Sequence, residues 1–178
     1  IDDVILIEPD IYYDSRGFLT EIYTRSIFIK NGINVQFVTD FISCSKKYIL
    51  RGLHYQIDPK SQIKLVTCVK GKVFDVVVDI RKGSPTYGKW LSIILSEDNK
   101  YMLLIPEGFA HGFLALEDNT IMLYKVSNEY SQLHYRGIIW NDPDINIDWP
   151  ISDPILSEQD SNWPKLKDAE NNFIYNKI

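Results

Sequence analysis

The sequence has few cysteines, no long apolar run and no excess of basic residues, and each of these shortages excludes a class of protein. Its 178 residues include only two cysteines, Cys44 and Cys68, too few for a disulfide framework or a zinc-binding spacing. Apolar runs such as Phe74–Ile80 contain acids and fall far short of the ~20 residues that a membrane span needs. A net charge of −5 gives no overall attraction for nucleic acid or for an anionic membrane. We therefore expect one soluble cytoplasmic domain that binds neither.

Short strand patterns separated by turn residues fill the middle of the chain. In Val73–Ile80, apolar residues alternate with Asp75 and Asp79, as in a β-strand. A short helix is predicted near Ser26–Asn31, and short helical turns are predicted after Pro150. Frequent turns between short strands favour an antiparallel sandwich or barrel over a βαβ protein. Further strands are predicted at Ile63–Val69, Trp90–Leu95, Tyr101–Ile105, Gly112–Leu116 and Thr120–Val126.

Two histidines raise the question of a metal site. His54 lies in an apolar run, and His111 follows a turn that contains proline and glycine. Pro106–His111 reads PEGFAH, and its P-x-G-x-x-H spacing resembles the second half of the cupin signature, in which the histidine is often a metal ligand. The first half of that signature requires H-x-H, but here His54 is followed by Tyr55 and Gln56. A neutral amide binds transition metals weakly compared with imidazole or carboxylate. We therefore expect no metal and no cofactor, although a metal-dependent cupin and two packed core histidines remain alternatives.

Acid–base chemistry on a carbonyl ligand accounts for these groups better. Imidazole has a pKa close to the working pH, so His54 suits the removal of a proton next to a ketone. Lys64 begins the next predicted strand and can stabilise an enolate oxygen, and Tyr124 can supply a phenolic proton. Arg16 and Arg51 each precede a glycine, and a guanidinium fits phosphate. Taken alone, Lys64 can instead be an ordinary surface lysine, and Tyr124 can be a packed core residue. Arg16 and Arg51 can likewise be ordinary turn residues.

Distinctive motifs are spread over nearly the whole chain, namely Asp14–Glu21 (DSRGFLTE), Leu50–Gln56 (LRGLHYQ), Lys64–Val66, Val78–Trp90, Ile105–Phe113 (IPEGFAHGF), Trp140–Pro143, Ile147–Pro150 and Leu156–Asp160 (LSEQD). Together they resemble the dTDP-4-dehydrorhamnose 3,5-epimerase family of cupin-superfamily enzymes. The resemblance implies an all-β, antiparallel jelly-roll (cupin) barrel with short helical segments in the C-terminal tail. Residues 1–178 then form a single domain, with a barrel core at about 35–150 and a tail, 151–178, that supplies Asp160.

The same resemblance assigns roles to individual residues. It implies that His54 is the catalytic base, that Asp160 orients it, that Tyr124 is the general acid and that Lys64 lies near the C4 carbonyl oxygen. It also implies a cofactor-independent epimerase and a homodimer in which amino-terminal strands extend the neighbour's sheet. The expected substrate-binding residues are Arg16 and Arg51 at the diphosphate, Phe18, Glu21 and Tyr130 on the nucleotide side, and Gln56 and His111 in the same pocket.

The predicted substrate is a nucleotide sugar, most simply dTDP-4-dehydro-6-deoxyglucose, inverted at C3, C5 or both. Two positions depart from the family pattern, because Thr39 and Phe41 stand where glutamine and asparagine are common. A site that loses hydrogen-bonding groups can select a different partner. The alternatives are an epimerase or ketoisomerase of another nucleotide-linked 4-keto sugar and a non-catalytic sugar-binding jelly roll.

Overall fold

A computed structural model describes residue 1 and residues 3–175, and nearly all of its regular structure is antiparallel β-sheet. The strands among these residues are β1 (Ile5–Ile7), β2 (Ile11–Asp14), β3 (Gly17–Thr20), β4 (Thr39–Ser45), β5 (Leu50–Gln56), β6 (Lys64–Lys70), β7 (Lys72–Asp79), β8 (Trp90–Ser96), β9 (Met102–Ile105), β10 (Phe109–Ala115), β11 (Thr120–Val126) and β12 (Tyr135–Gly137). The helical segments are α1 (Arg25–Lys30), α2 (Glu158–Ser161) and a 3-10 turn (Leu166–Asp168).

Two five-stranded sheets face each other, as in a jelly roll. The first has the order β1-β9-β6-β11-β4, and the second has the order β12-β5-β10-β7-β8. Strands β2 and β3 form a separate two-stranded hairpin. The predicted all-β jelly-roll class is confirmed, as are the strands at 73–80 and 120–126 and the short helix near Ser26–Asn31.

Hydrophobic clusters cover both faces of the central strands of each large sheet, and this explains why those strands are apolar on both sides. The alternation predicted for Val73–Ile80 places Val76 and Val78 outward, under the tail, and Val73 and Val77 inward. Asp75 shares the inward face and is fully buried. The space between the sheets is therefore mostly apolar, and polar side chains within it stand out as candidates for chemistry.

The tail after residue 150 is fastened to the second sheet. Ile155 exchanges backbone hydrogen bonds with Tyr48 and Leu50, and Leu166 donates its backbone N–H to the buried carboxylate of Asp142 at 2.7 Å. These bonds fix the segment that carries Asp160. The last three residues of the predicted tail, 176–178, lie outside the described residues.

None of the described helices is long and apolar enough to cross a membrane.

Candidate active site

A cleft of about 350 Å³ opens between the two sheets, and it gathers most of the polar side chains that face inward. Both sheets contribute, since His54 and His111 come from the second sheet and Lys64 and Tyr124 from the first. The residues that line it are Phe41, Ser43, Arg51, His54, Gln62, Lys64, His111, Phe113, Tyr124, Val126, Tyr130 and Tyr135.

His54 is held at the cleft wall by a carboxylate from the tail. Its Nε2 lies 2.5 Å from Oδ1 of Asp160, which is buried in α2. Burial is the strongest influence on His54 and lowers the pKa of its imidazole below 6.5, although the Asp160 carboxylate opposes that shift. Burial alone would raise the pKa of Asp160, but hydrogen bonds, led by the one from His54, outweigh it and lower that pKa.

These directions describe a neutral imidazole next to an ionised carboxylate. His54 then donates its Nε2–H to Asp160, and the lone pair that can accept a substrate proton lies on Nδ1. The Asp160 carboxylate also stabilises the imidazolium that forms when a proton is taken. The pair that the family resemblance implied is therefore brought together, across 106 residues of sequence.

A tryptophan that sequence reasoning missed completes this pair. The Nε1–H of Trp163 donates to Oδ1 of Asp160 at 3.0 Å, and the indole ring lies 6.2 Å from the imidazole of His54. The indole covers Gly137, where an added Cβ would lie 2.3 Å from a ring carbon of Trp163. Because β12 pairs with β5 at Gly137 and His54, the missing side chain of Gly137 makes room for the ring beside the base. In the sequence, the short distance from Asp160 was the only signal.

Lys64 occupies the opposite sheet, and a second histidine–carboxylate pair lies near it. Its ammonium donates to the backbone oxygen of His54 at 3.1 Å. Burial lowers the pKa of Lys64 to about 8, and the negative charge of Asp75 opposes that shift. His111 Nε2 lies 2.9 Å from Oδ2 of Asp75, whose pKa is raised, chiefly by burial. Asp75 was predicted only as the polar side of a strand, and its second oxygen is buried with no partner among the described residues.

Each inward histidine is thus bonded to a different carboxylate. Among residues 1 and 3–175, no group of three or more His, Cys, Asp or Glu side chains is arranged to hold a metal ion.

Tyr124 stands in the first sheet with its hydroxyl bonded to Ser43. The two oxygens are 3.1 Å apart, and Ser43 belongs to the edge strand β4. Burial raises the pKa of Tyr124 above its usual value, so the phenol is protonated at neutral pH, and the bond to Ser43 opposes that shift. The ring lies 6.4 Å from that of His111 and 6.5 Å from that of Phe113. Ser43 was not among the predicted site residues, although its alternation with Phe41 in β4 places it on the same face.

Strands β5 and β10 approach closely next to Arg51, which lines the cleft together with Tyr124 and Ser43. Gly52 has a φ of 140°, and a Cβ there would lie 2.5 Å from the Cα of Gly112. The β5–β10 register shifts at that point, between His111 and Phe113. Such irregularities re-aim side chains near active sites. Arg51 points into the cleft, and its guanidinium donates to Ser45 Oγ and to the carbonyl oxygen of Cys44.

Four other predicted residues do not line this cleft. Arg16, Phe18 and Glu21 belong to or follow the β2–β3 hairpin, where Arg16 pairs with its neighbour Asp14. Gln56 is only 2% exposed and bonds to protein backbone, whereas Tyr130 lines the cleft mouth and is exposed.

Comparisons with known proteins show which family the chain belongs to. The family model described as dTDP-4-dehydrorhamnose 3,5-epimerase matches residues 1–168. The enzyme of that name from Shigella flexneri is 52% identical over 171 residues, which is 96% of this chain and 94% of that protein. A crystal structure of the Bacillus anthracis enzyme with TDP and PPi bound superposes with a TM-score of 0.90 at 45% identity, covering 92% of this chain and 94% of the other. A Legionella pneumophila epimerase in complex with dTDP-4-keto-L-rhamnose gives a TM-score of 0.90 at 44% identity, covering 94% of this chain and 89% of the other.

The two facing sheets and the acid–base groups between them define a cupin-type jelly-roll epimerase. The chain belongs to the dTDP-4-dehydrorhamnose 3,5-epimerase family.

Proposed function

We propose that this protein inverts C3 and C5 of a dTDP-linked 4-keto-6-deoxyhexose, dTDP-4-dehydro-6-deoxyglucose, through an enolate. One observation carries the proposal. A neutral, carboxylate-bonded imidazole and a protonated phenol, His54 and Tyr124, line one cleft from opposite sheets. Epimerisation requires this arrangement, because a proton must leave one face of a carbon and another must arrive at the opposite face.

The ketone of the substrate acidifies the hydrogens on the carbons at either side of it. His54 takes such a proton at Nδ1 and becomes an imidazolium that Asp160 stabilises. The electron pair moves onto the C4 oxygen, where the ammonium of Lys64 stabilises the enolate. Tyr124 then returns a proton to the other face of the carbon. The substrate's own carbonyl is the electron sink, so these side chains suffice for the chemistry.

Deuterium exchange tests this function directly. We expect wild-type protein in D₂O to introduce deuterium at C3 and C5 of dTDP-4-dehydro-6-deoxyglucose, as followed by NMR. The variant His54→Ala should lose about 10²–10⁴-fold in rate, as expected for removal of a positioned base. Exchange at only one carbon would identify a single-centre epimerase. If a GDP- or CDP-linked analogue exchanged deuterium and the dTDP sugar did not, the assignment of the nucleotide would be overturned.

We further propose that the protein works as a homodimer in which the hairpin of one copy completes the cleft of the other. The β2–β3 hairpin is a separate two-stranded sheet, and isolated hairpins of this size are marginal in water. Its apolar side chains are exposed, with Phe18 at 55% and Leu19 at 71%, which is typical of a surface that packs against a partner. Strand β4 is a free sheet edge beside the cleft, and an added strand would cover it.

Subunit complementation tests this arrangement more sharply than a mass measurement. In a mixed dimer of His54→Ala and Arg16→Ala chains, one cleft combines an intact His54 with the partner's intact Arg16. If Arg16 acts across the interface, two inactive variants co-expressed in equal amounts should recover about a quarter of the wild-type sites, from the statistics of a two-fold dimer. If mixed dimers formed but activity did not recover, Arg16 would act at the cleft of its own chain and not at that of its partner.

We also propose that the protein works in the cytoplasm. Both cysteines, Cys44 and Cys68, are free, and free thiols suit a reducing compartment. Cell fractionation tests it, and recovery from an oxidising compartment would contradict it.

A further inference from the structure

The hydroxyl of Tyr124 is bonded to the hydroxyl of a second residue that lines the cleft, Ser43. Ser43 Oγ lies 3.1 Å from Tyr124 Oη, and either atom can be the donor. Ser43 is only partly buried and belongs to β4, the edge strand of its sheet. Its side chain lines the cleft, as does that of Tyr124. A second hydroxyl in the cleft therefore lies within hydrogen-bond distance of the phenol.

The proposed reaction requires a proton donor that restores the phenol. Each inversion leaves His54 with one proton too many and Tyr124 with one too few. A double inversion repeats this on the same sugar, so the acid must be recharged before the second carbon can react. Burial raises the pKa of Tyr124, so its phenolate is energetically unfavourable and should be reprotonated quickly. The nearest histidine ring, that of His111, lies 6.4 Å away and has its Nε2 bonded to Asp75.

We propose that Ser43 recharges the general acid by passing a proton from solvent water to the phenolate of Tyr124. This inference rests on the proposed epimerase function. In the step, the O–H bond of Ser43 breaks as its proton joins the Tyr124 oxygen, and Ser43 takes a replacement proton from water. The hydroxide that results is neutralised by the proton that His54 releases. The net reaction consumes no proton, as an epimerisation must.

The proposal separates the first inversion from all later ones. The first needs only the proton already on Tyr124, and the second needs a recharged acid. With Ser43→Ala in excess over substrate in D₂O, we expect the first carbon to gain deuterium at the wild-type rate. The second inversion and the steady-state rate should both fall by at least about ten-fold, at the low end of acid–base effects. The singly inverted sugar should accumulate, and imidazolium buffer should restore the steady-state rate as its concentration rises.

Two control variants distinguish proton transfer from a structural role. Ser43→Thr keeps the hydroxyl and should retain both phases. Cys44→Ala alters the next side chain, which points to the other face of β4, and should behave as wild type. Equal slowing of both phases in Ser43→Ala would overturn the proposal, because it would mean that Ser43 only orients the phenol. A Ser43→Ala variant that matches wild type in every phase would overturn it too. Failure of wild-type protein to exchange deuterium would instead overturn the proposed function.

Discussion

The indole N–H of Trp163 donates to Oδ1 of Asp160, the same oxygen that is bonded to His54. The Trp163 bond holds the carboxylate in the orientation that the imidazole requires, and it favours the ionised form of Asp160. Trp163 touches neither the base nor the acid through a polar atom, so it is a positioning residue. Its removal should therefore change the base rather than the binding of substrate.

The variant Trp163→Phe keeps an aromatic ring but loses the N–H donor together with the second ring of the indole. One hydrogen bond to a charged group contributes about 1.5–3 kcal/mol, so we expect kcat to fall by about ten-fold or more and KM to stay the same. The acid limb of the pH–rate profile should also move, since the Asp160 carboxylate opposes the lowering of the His54 pKa by burial. A rise in KM with unchanged kcat would contradict this role. Gly137→Ala displaces the whole ring and should lower both kcat and stability.

The pH dependence of kcat/KM should be bell-shaped, with limits set by His54 and Lys64. His54 must be neutral to accept a proton, and burial lowers its pKa, so activity should fall with decreasing pH only below about 6.5. Lys64 must be charged to stabilise the enolate, and its pKa is lowered to about 8. Activity should therefore also fall as the pH rises through about 8.

A matched variant assigns the alkaline limit. Lys64→Arg keeps a positive charge at every accessible pH, so its lower activity should persist above pH 8 instead of falling. If the limit near pH 8 remains in Lys64→Arg, it belongs to another group.

Features that depend on neighbouring residues could be predicted from the sequence, whereas contacts between residues far apart in the chain could not. The alternation in β7 and β11 is local, so both strands could be predicted from the sequence, and the inward face of β11 then contained Tyr124. Asp160 lies 106 residues from His54, and no periodicity links a tail helix to a barrel strand. Only the family motifs indicated that pair. Ser43 was missed because it acts through a hydrogen bond to Tyr124, 81 residues away. Trp163 lies only three residues from Asp160, but no local pattern indicates that its indole bonds to that carboxylate.

Asp75 shows a different limit. Its alternation with apolar neighbours was recognised, but a charged residue on one side of a strand suggests solvent there. In this fold both sides are buried, and Asp75 faces His111 in the space between the sheets. The composition of one strand does not reveal what covers its second face.

Gln56 should affect substrate binding indirectly, through the loop that carries Tyr130. Its amide donates to the backbone oxygen of Glu129 at 3.2 Å and accepts from the backbone N–H of Ser131 at 2.7 Å, so it grips both neighbours of Tyr130. Gln56→Leu would remove these bonds, at a cost of about 0.5–1.5 kcal/mol each in the free energy of unfolding. We expect KM to rise several-fold and kcat to change little.

A double-mutant cycle with Tyr130→Ala checks this route. If Gln56 acts through Tyr130, the two effects on KM should be strongly non-additive, as they are for residues in contact. Additive effects would mean that Gln56 reaches the substrate by another path.

Phe41 should select for the deoxy position of the sugar. It stands where the family commonly has asparagine, it lines the cleft, and it is the direct cross-strand partner of Tyr124. An apolar ring beside the acid gives the C6 methyl group of a 6-deoxyhexose a surface to bury, and one methyl-sized group contributes about 1 kcal/mol. Wild-type protein should therefore bind dTDP-6-deoxyglucose about five-fold more tightly than dTDP-glucose, as measured by calorimetry. Phe41→Asn should remove this preference, because an amide can bond to the extra hydroxyl, whereas Phe41→Leu, which stays apolar, should keep it. Equal loss of affinity for both ligands in Phe41→Asn would show that the ring contacts another part of the nucleotide sugar.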